Sequence, residues 1–147
     1  MIISGFNGTY RFLSNFYNCT VNYDDIVFDS VEKAYQYAKC YKDYDKIKIV
    51  ESSSAREAKS LGRQIKLRSD WEHVKLPIML NLVTQKFSNP ILKQALLNTG
   101  DAIIIERNWW HDNFWGDCTC NKCKTSIGYN YLGEILMQVR FTLANNK

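Results

Sequence analysis

A short segment near residue 35 carries the residue types that acid–base chemistry requires. Glu32, Gln36 and Lys39 lie at positions i, i+4 and i+7, which puts a carboxylate, an amide and an amine on one face of a helix. Such a row could build a site for acid–base or electrophilic catalysis. The alternative is a solvated helix face, on which Glu32 and Lys39 form a surface ion pair that contributes little. Spacing alone favours this alternative.

A helix over residues 30–39 is predicted to hold this polar row. Its other face is an apolar stripe with i, i+3, i+4, i+7 spacing, made by Val31, Ala34, Tyr35 and Ala38. Asp29 is predicted as the N-cap, with Glu32 at the third helical position, in a relative of the capping box.

The remaining elements follow from periodicity and capping residues. Short β-type runs at 19–23 and 26–28 flank Asp24-Asp25 and predict a hairpin. A capping box at Ser54 and Glu57 predicts a helix that Gly62 closes. Three more helices are predicted: 76–87 with Pro77 in its first turn, one that starts at Asn89-Pro90 and stops at Gly100, and one capped by Asn130 that runs to 143. Residues 102–106 are predicted as a buried strand or extended run.

These elements indicate an α+β fold, predominantly helical, with a small antiparallel sheet, in a single domain over residues 1–147. The length of 147 residues and the 46% hydrophobic and 23% charged composition fit one globular domain. A net charge of +4 permits a phosphate-bearing partner without demanding one. Apolar runs fall short of the ~18 residues that span a bilayer, so we expect no membrane partner. Five cysteines without a secretion signal predict reduced thiols and a cytoplasmic location.

Residues 107–129 show no clean period and are predicted as a long loop, a length that usually signals function. Trp109, Trp110, Asp112, Trp115 and Gly116 lie in this loop. Tryptophans beside acids can stack a planar ring next to polar groups. The alternative is that some of these rings cover a small core.

Three cysteines of the same loop have spacing that suits a metal. Cys118, Cys120 and Cys123 could supply three thiolates, and a closed zinc site would need a fourth ligand from His111, Cys40 or Cys19. Since only three cysteines lie close together in sequence, we expect free thiols and no bound metal. Outside the loop, Arg56, Lys59 and Arg63 share a helical face that could hold a diphosphate, although this run taken alone favours a plain solvated face.

The motifs taken together resemble the NADAR family over nearly the whole chain. The matching segments, in the order of the family, are residues 12–16, 30–36 with Lys39, 54–59 with Leu61-Gly62, Trp71, Met79, Lys86-Phe87, 99–101 with Glu106, Trp115-Gly116, and 128–133 running into 136–140. Lys33 departs from the family pattern, in which many members carry His after the Glu.

This resemblance implies a mostly helical fold and the hydrolysis of N-glycosidic bonds, with no cofactor. Two substrate classes come with it. One is ADP-ribose that toxin-type ADP-ribosyltransferases attach to guanine in nucleic acid, and the other is a phosphoribosylamino-pyrimidine of riboflavin biosynthesis. The first is the favoured prediction, so the expected partner is ADP-ribosylated nucleic acid or a nucleotide-like small molecule. A non-catalytic module that binds NAD or ADP-ribose is the alternative from another class.

The resemblance and the residue types together suggest roles. Glu32 would stabilise a ribosyl cation or activate water, Lys39 would orient the ribose or form a Schiff base with a ring-opened sugar, and Asp101 or Asp112 would be the second acid. Trp71 and Trp115 would stack on a ring, and Arg56, Lys59 and Arg63 would bind phosphates. The other predicted substrate-binding residues are Phe12, Ser14, Asn15, Gln36, Gly116 and Asn130.

Overall fold

The computed structural model describes residues 1–146 and confirms the α+β class, with helices predominating. The elements in chain order are β1 (Ile2–Ser4), a 3-10 helix (Gly8–Leu13), β2 (Val21–Tyr23), β3 (Ile26–Phe28), α1 (Val31–Lys39), α2 (Asp43–Glu51), α3 (Ala55–Gly62), α4 (Trp71–Lys86), α5 (Pro90–Leu97), β4 (Ile103–Ile105), β5 (Arg107–Asn108), β6 (Asp117–Cys118) and α6 (Tyr131–Asn145).

The strands pair two by two. β2 and β3 form the predicted antiparallel hairpin, whose turn residues Asp24 and Asp25 both have positive φ, 56° and 61°. Left-handed conformations at both central positions are the signature of the type I′ hairpin turn. β1 pairs with β4 and β5 pairs with β6, both in parallel, and neither pair was predicted.

The chain folds as two compact units. The continuous unit is Asn15–Lys86, and the split unit is Met1–Ser14 together with the chain from Phe87 on. The single domain over 1–147 stays a prediction. Within the described residues, no helix is both long and apolar enough to cross a membrane.

Helix α1 is the centre of the continuous unit and packs against α2, α3, α4 and β2. The prediction of Asp29 as N-cap was wrong: Ser30 takes that position, and its hydroxyl accepts a hydrogen bond from Lys33 N, 3.1 Å away. Glu32 is therefore the second helical residue and not the third. A serine three residues before the bonded N–H is as good a cap as aspartate.

Two further helices of the continuous unit differ from prediction. α2 was not predicted, because its N-cap Lys42 makes no side-chain cap bond and Ile49 is the one buried residue of its nine. α4 begins at Trp71 and not at 76, so Pro77 lies inside the helix and not in its first turn. The buried Trp71 ring packs on Tyr35 with centroids 5.2 Å apart, and this packing extends the helix by a turn and a half beyond the predicted start.

In the split unit, α6 packs against β4 and α5 packs against α6. Asn89 caps α5 as predicted, with Oδ1 accepting from Ile91 N and Leu92 N. The helix ends at Leu97, before Gly100, whose φ of 63° belongs to the following turn. The predicted extended run at 102–106 contains β4.

Asn130 begins α6 as predicted, but its side chain does not cap the helix. Asn130 Oδ1 accepts from Glu106 N and its Nδ2 donates to Ile104 O, each at 2.9 Å. With a φ of 55°, Asn130 takes a left-handed conformation that asparagine tolerates better than most residues. Its amide thus ties the end of β4 to the start of α6.

Candidate active site

The polar row of α1 is buried. Glu32 is 7% exposed and Gln36 is 4% exposed, so the expectation of a solvated helix face does not hold for these two residues. Lys39, one turn further on, is half-buried. Buried carboxylates are rare unless they are paired or hydrogen-bonded, and this row therefore calls for a specific explanation.

Gln36 holds Glu32 directly. The Gln36 Nε2 donates a hydrogen bond of 2.7 Å to Glu32 Oε1, across one helical turn. Because the amide nitrogen bonds the carboxylate, the Gln36 Oε1 points away from Glu32. This oxygen is buried and has no hydrogen-bond partner among the described residues. A buried acceptor of this kind costs free energy unless water or a ligand satisfies it.

A close approach between α1 and α3 shapes the wall beside this amide. A Cβ at Gly62 would lie 1.8 Å from Gln36 Oε1 and 2.6 Å from its Cδ. Only glycine leaves the amide in its observed place. Gly62 was predicted as the end of α3, which it is, but its contact with Gln36 was not anticipated.

Positive charge surrounds the far end of the row. Burial lowers the pKa of Lys39; the carboxylate of Glu32 opposes this shift, whereas the charges of Arg63 and Lys59 add to it. The Lys39 Nζ also lies over the Tyr35 ring, 5.9 Å from its centroid. A lysine with a depressed pKa is a better proton carrier or nucleophile near neutral pH than an ordinary one.

The segment before β2 reaches the start of α1. Glu32 N donates to Asn15 O at 3.0 Å, and Asn15 Nδ2 contacts Met79 Sδ at 3.6 Å. The neighbouring Phe16 ring is exposed and lies under Lys59 Nζ, 5.5 Å from the ring centroid. Asn15 thus contacts the start of the polar row through its backbone, and Phe16 is linked to Lys59, whose charge acts on Lys39.

Three other predicted binding residues, Trp71, Arg56 and Arg63, belong to this unit. Trp71 is buried against Tyr35, which gives it a packing role; its stacking on a substrate stays a prediction. Arg56 is exposed in the first turn of α3, as is Arg63 at the C-terminal cap of that helix. Both guanidinium groups are accessible to a phosphate in solution, and their binding of one stays a prediction.

The other predicted residues lie in the split unit. The Asp112 carboxylate accepts hydrogen bonds from Phe114 N and Trp115 N, at 3.1 and 2.9 Å, and so shapes the loop backbone. Asp101 is exposed; burial lowers the pKa of Arg140, and the charge of Asp101 opposes this shift. Their service as the second acid stays a prediction.

Four further predicted residues of the split unit have packing contacts. The Phe12 ring meets Phe87 edge-on at 6.3 Å, and Ser14 caps the C-terminal end of the 3-10 helix. Gly116 is buried, and a Cβ there would lie 2.2 Å from Glu106 O. Half-buried Trp115 meets Phe114 at 4.7 Å, with perpendicular rings. Roles of these residues in substrate binding stay predictions.

Lys86 lies in one of the segments that match the NADAR family, and its place in the fold was not predicted. It is 1% exposed at the end of α4, and burial lowers its pKa to about 8, against an opposing effect of Cys19. Its Nζ lies over the Tyr17 ring, 5.7 Å from the centroid. The sequence could have predicted this burial, since the helical spacing of Met79, Val83 and Lys86 puts Lys86 on the buried face.

A second cluster of chemistry-bearing side chains lies in the split unit. His111, Cys118, Cys120 and Cys123 each present one potential ligand atom, and these four atoms lie within 4.8 Å of one another. The structure thus brings His111 to the three cysteines. Cys40, another candidate for a fourth ligand, belongs to the continuous unit and donates its thiol to Gln36 O at 3.4 Å.

Comparison with known proteins gives consistent relatives. The family model described as the NADAR domain matches residues 5–144. N-glycosidase YbiA of Escherichia coli is 30% identical over 141 residues, which cover 94% of this chain and 84% of the relative. The NMR structure of E. coli YbiA superposes with a TM-score of 0.80 at 31% identity, covering 98% of this chain and 85% of that one.

Longer relatives carry riboflavin biosynthesis names. A riboflavin biosynthesis protein of Vibrio vulnificus is 34% identical over 132 residues, and the chloroplastic riboflavin biosynthesis protein PYRR of Arabidopsis thaliana is 38% identical over 107 residues. These alignments cover 88% and 67% of this chain, but the chain spans only 34% and 17% of those two proteins. The family match over nearly the whole sequence, together with a relative of similar length, establishes that the chain belongs to the NADAR family.

Proposed function

We propose that this protein is an N-glycosidase that acts in the cytoplasm, hydrolyses a C1′–N bond and releases ADP-ribose from modified guanine bases in nucleic acid. The observation that carries the proposal is the buried Glu32 carboxylate, held by Gln36 Nε2 at 2.7 Å. A structural role alone would be better served by an apolar residue, since burying a carboxylate is costly.

The reaction requires two groups of opposite function. As the C1′–N bond breaks, positive charge develops on the ribose, and a carboxylate can stabilise it or take a proton from the attacking water. The water oxygen bonds to C1′, and the departing nitrogen takes up a proton and leaves as the free amine. Glu32 suits the first task because its position is fixed by Gln36 and by the Glu32 N–Asn15 O bond of 3.0 Å.

Lys39 extends the site towards phosphates. It is half-buried on the same helix face, with Lys59 and Arg63 close enough to affect its pKa. This basic group, with exposed Arg56 on the same helix α3 as Lys59, suits a diphosphate such as that of ADP-ribose. The free Gln36 Oε1 can accept a hydrogen bond from a ribose hydroxyl or from the attacking water.

Relatives support the reaction class and provide one rival substrate. E. coli YbiA, a relative of similar length, is named an N-glycosidase, and the Vibrio and Arabidopsis relatives are named riboflavin biosynthesis proteins. A phosphoribosylamino-pyrimidine shares the C1′–N bond with ADP-ribosylated guanine but carries one phosphate. The basic side chains of Lys39, Lys59 and Arg63 favour the diphosphate substrate.

The test compares both substrates with one variant. Wild-type protein is incubated separately with a guanine-ADP-ribosylated oligonucleotide and with the aminopyrimidine, and release of each sugar phosphate is measured. We expect release from the oligonucleotide and a loss of ~10²-fold or more in Glu32→Gln, which keeps the shape and removes the charge. Glu134→Gln, at an exposed position of α6, is the matched control.

Each outcome separates the hypotheses. Release from the aminopyrimidine alone would reject ADP-ribosylated guanine as the substrate but would leave the proposed active site unchanged. Binding of ADP-ribose without release of either sugar would indicate a binding module. A Glu32→Gln variant that keeps more than about a tenth of the wild-type rate would remove Glu32 from the reaction.

A further inference from the structure

The cluster of His111, Cys118, Cys120 and Cys123 has the composition of a closed metal site. Cys118 is the last residue of β6, and Cys120 and Cys123 lie in the segment that follows it. His111 lies in the segment after β5. His111 Nδ1 lies 3.1 Å from Cys120 Sγ and 3.6 Å from Cys123 Sγ. These contacts join residues nine and twelve positions apart in the chain.

The spacing matches what a tetrahedral zinc ion requires. With Zn–S near 2.3 Å and Zn–N near 2.0 Å, a sulfur and a nitrogen ligand lie about 3.5 Å apart and two sulfurs about 3.8 Å apart. The observed sulfur–nitrogen distances bracket the first value, and all four atoms fit within 4.8 Å. Small adjustments of the side chains would complete the tetrahedron.

The backbone around the cluster also aims hydrogen-bond donors at one of the sulfurs. Cys118 Sγ accepts hydrogen bonds from His111 N and Cys120 N, at 3.3 and 3.4 Å. A neutral thiol is a weak acceptor, whereas donors aimed at a ligand sulfur are the usual outer shell of a metal site. Cys118 is buried. Without a metal on its sulfur, the two N–H groups would therefore have only a weak acceptor.

His111 is held in an unusual backbone conformation. Its φ of 70° is in the left-handed region, which is costly for a residue with a side chain and persists where surroundings impose it. In this conformation its backbone N–H reaches Cys118 and its ring reaches Cys120 and Cys123. One residue thereby contacts all three cysteines.

We propose that His111, Cys118, Cys120 and Cys123 bind one Zn²⁺ as a closed structural site. This replaces the expectation of free thiols, which rested on finding only three cysteines close in sequence. Four protein ligands leave no open position, so the ion would support the loop and would not take part in the reaction. On binding, each thiol gives its proton to solvent, and the site carries a net charge of −1. Exposed Lys122 and Lys124 flank Cys123 and offset that charge.

The ion would hold residues 120–126 in place, a segment whose backbone hydrogen bonds are made between near neighbours in the chain. Between 120 and 126 the backbone bonds link residues three apart, Cys123 N to Cys120 O and Ser126 N to Cys123 O. Zinc would tie this segment to the end of β6 and to the turn that carries Trp109 and Trp110, which are exposed. The position of the tryptophan pair would then depend on the metal.

The experiment measures metal in the full-length protein purified under reducing conditions. We expect about one zinc per chain by elemental analysis, and a lower melting temperature after a strong chelator removes it. Added Co²⁺ should give the visible absorption of a tetrahedral thiolate complex in the chelated protein. Cys123→Ser should lower the zinc content and weaken this absorption, whereas Cys19→Ser, a half-buried cysteine of the continuous unit, should change neither.

Several results would overturn the proposal. One is a protein with all five thiols reduced that carries no zinc and gives no tetrahedral Co²⁺ spectrum. Another is a mass lower by two hydrogens after purification with reductant, which would mean a disulfide. One equivalent of iron or copper per chain in the elemental analysis would show that the site does not select zinc. If Cys123→Ser does not fold, the Co²⁺ titration of wild type still decides the matter, and none of these readouts depends on glycosidase activity.

Discussion

Replacing Gly62 with alanine is expected to disturb the site through a single methyl group. The new Cβ would lie 1.8 Å from Gln36 Oε1 and 2.6 Å from Cδ, so the amide must leave its position. Its 2.7 Å bond to Glu32 Oε1 would then be lost. Gln36 is buried, so its displaced amide must be accommodated within the protein interior.

The magnitude follows from two opposing effects. Loss of a hydrogen bond to a charged group costs about 1.5–3 kcal/mol, and alanine in place of glycine in a helix gains up to about 1 kcal/mol. The free energy of unfolding should therefore fall by about 0.5–3 kcal/mol, which for this size of protein lowers the melting temperature by about 1–12 °C. Activity should fall further, because Glu32 loses its fixed position.

A double-mutant cycle with Gln36→Ala gives the sharpest assay, read by urea and thermal denaturation. Once Gln36 is truncated, the methyl group at position 62 meets no amide, and Gly62→Ala should stabilise the protein by up to about 1 kcal/mol. Ser60→Ala, at an exposed position of the same helix, controls for helix propensity. An identical effect of Gly62→Ala in both backgrounds would refute the link between Gly62, Gln36 and Glu32.

Two other predictions concern lysines with depressed pKa values. Lys39→Ala should reduce turnover more than binding. A borohydride reductant that traps a covalent adduct in wild type and in the exposed-site control Lys42→Ala, but not in Lys39→Ala, would support a Schiff base at Lys39, and equal trapping in all three would exclude it. Because burial lowers the pKa of Lys86 from 10.5 to about 8, the unfolded chain binds more protons above pH 8, and the free energy of unfolding should rise by about 1 kcal/mol between pH 8 and 9. Lys86→Met should flatten this rise in denaturant titrations, and equal slopes would show that Lys86 is charged in the folded protein across this range.

Features decided by neighbouring residues could be read from the sequence. The bounds of α1 were within a residue of the observed helix, and Ser54 and Asn89 were identified as caps. Capping and helical periodicity depend on residues three or four apart. α2 escaped detection because its stability comes from packing a single buried isoleucine and not from a cap or an apolar stripe.

Features decided by distant residues could not be read in this way. The polar row of α1 was recognised, but its burial depends on α3 and on the missing side chain of Gly62, which lies twenty-six positions beyond Gln36. Likewise, nothing local in sequence selects His111 over Cys40 as the neighbour of the three cysteines. The parallel pairing of β1 with β4 is a third case, since neither strand has a turn signal that points to its partner.

The β1–β4 pairing also bears on the order in which the chain folds. Ile2 pairs with Ile103, and closing a loop of about a hundred residues costs about 4 kcal/mol in chain entropy before any strand contact compensates. The continuous unit needs no such closure, because all of its segments lie between residues 15 and 86. During synthesis it can therefore collapse around α1 while β1 waits for residues 103–105 to emerge. β1 is synthesised before β2 to β6 but is among the last of these strands to be paired, which sets a late, slow step for the split unit.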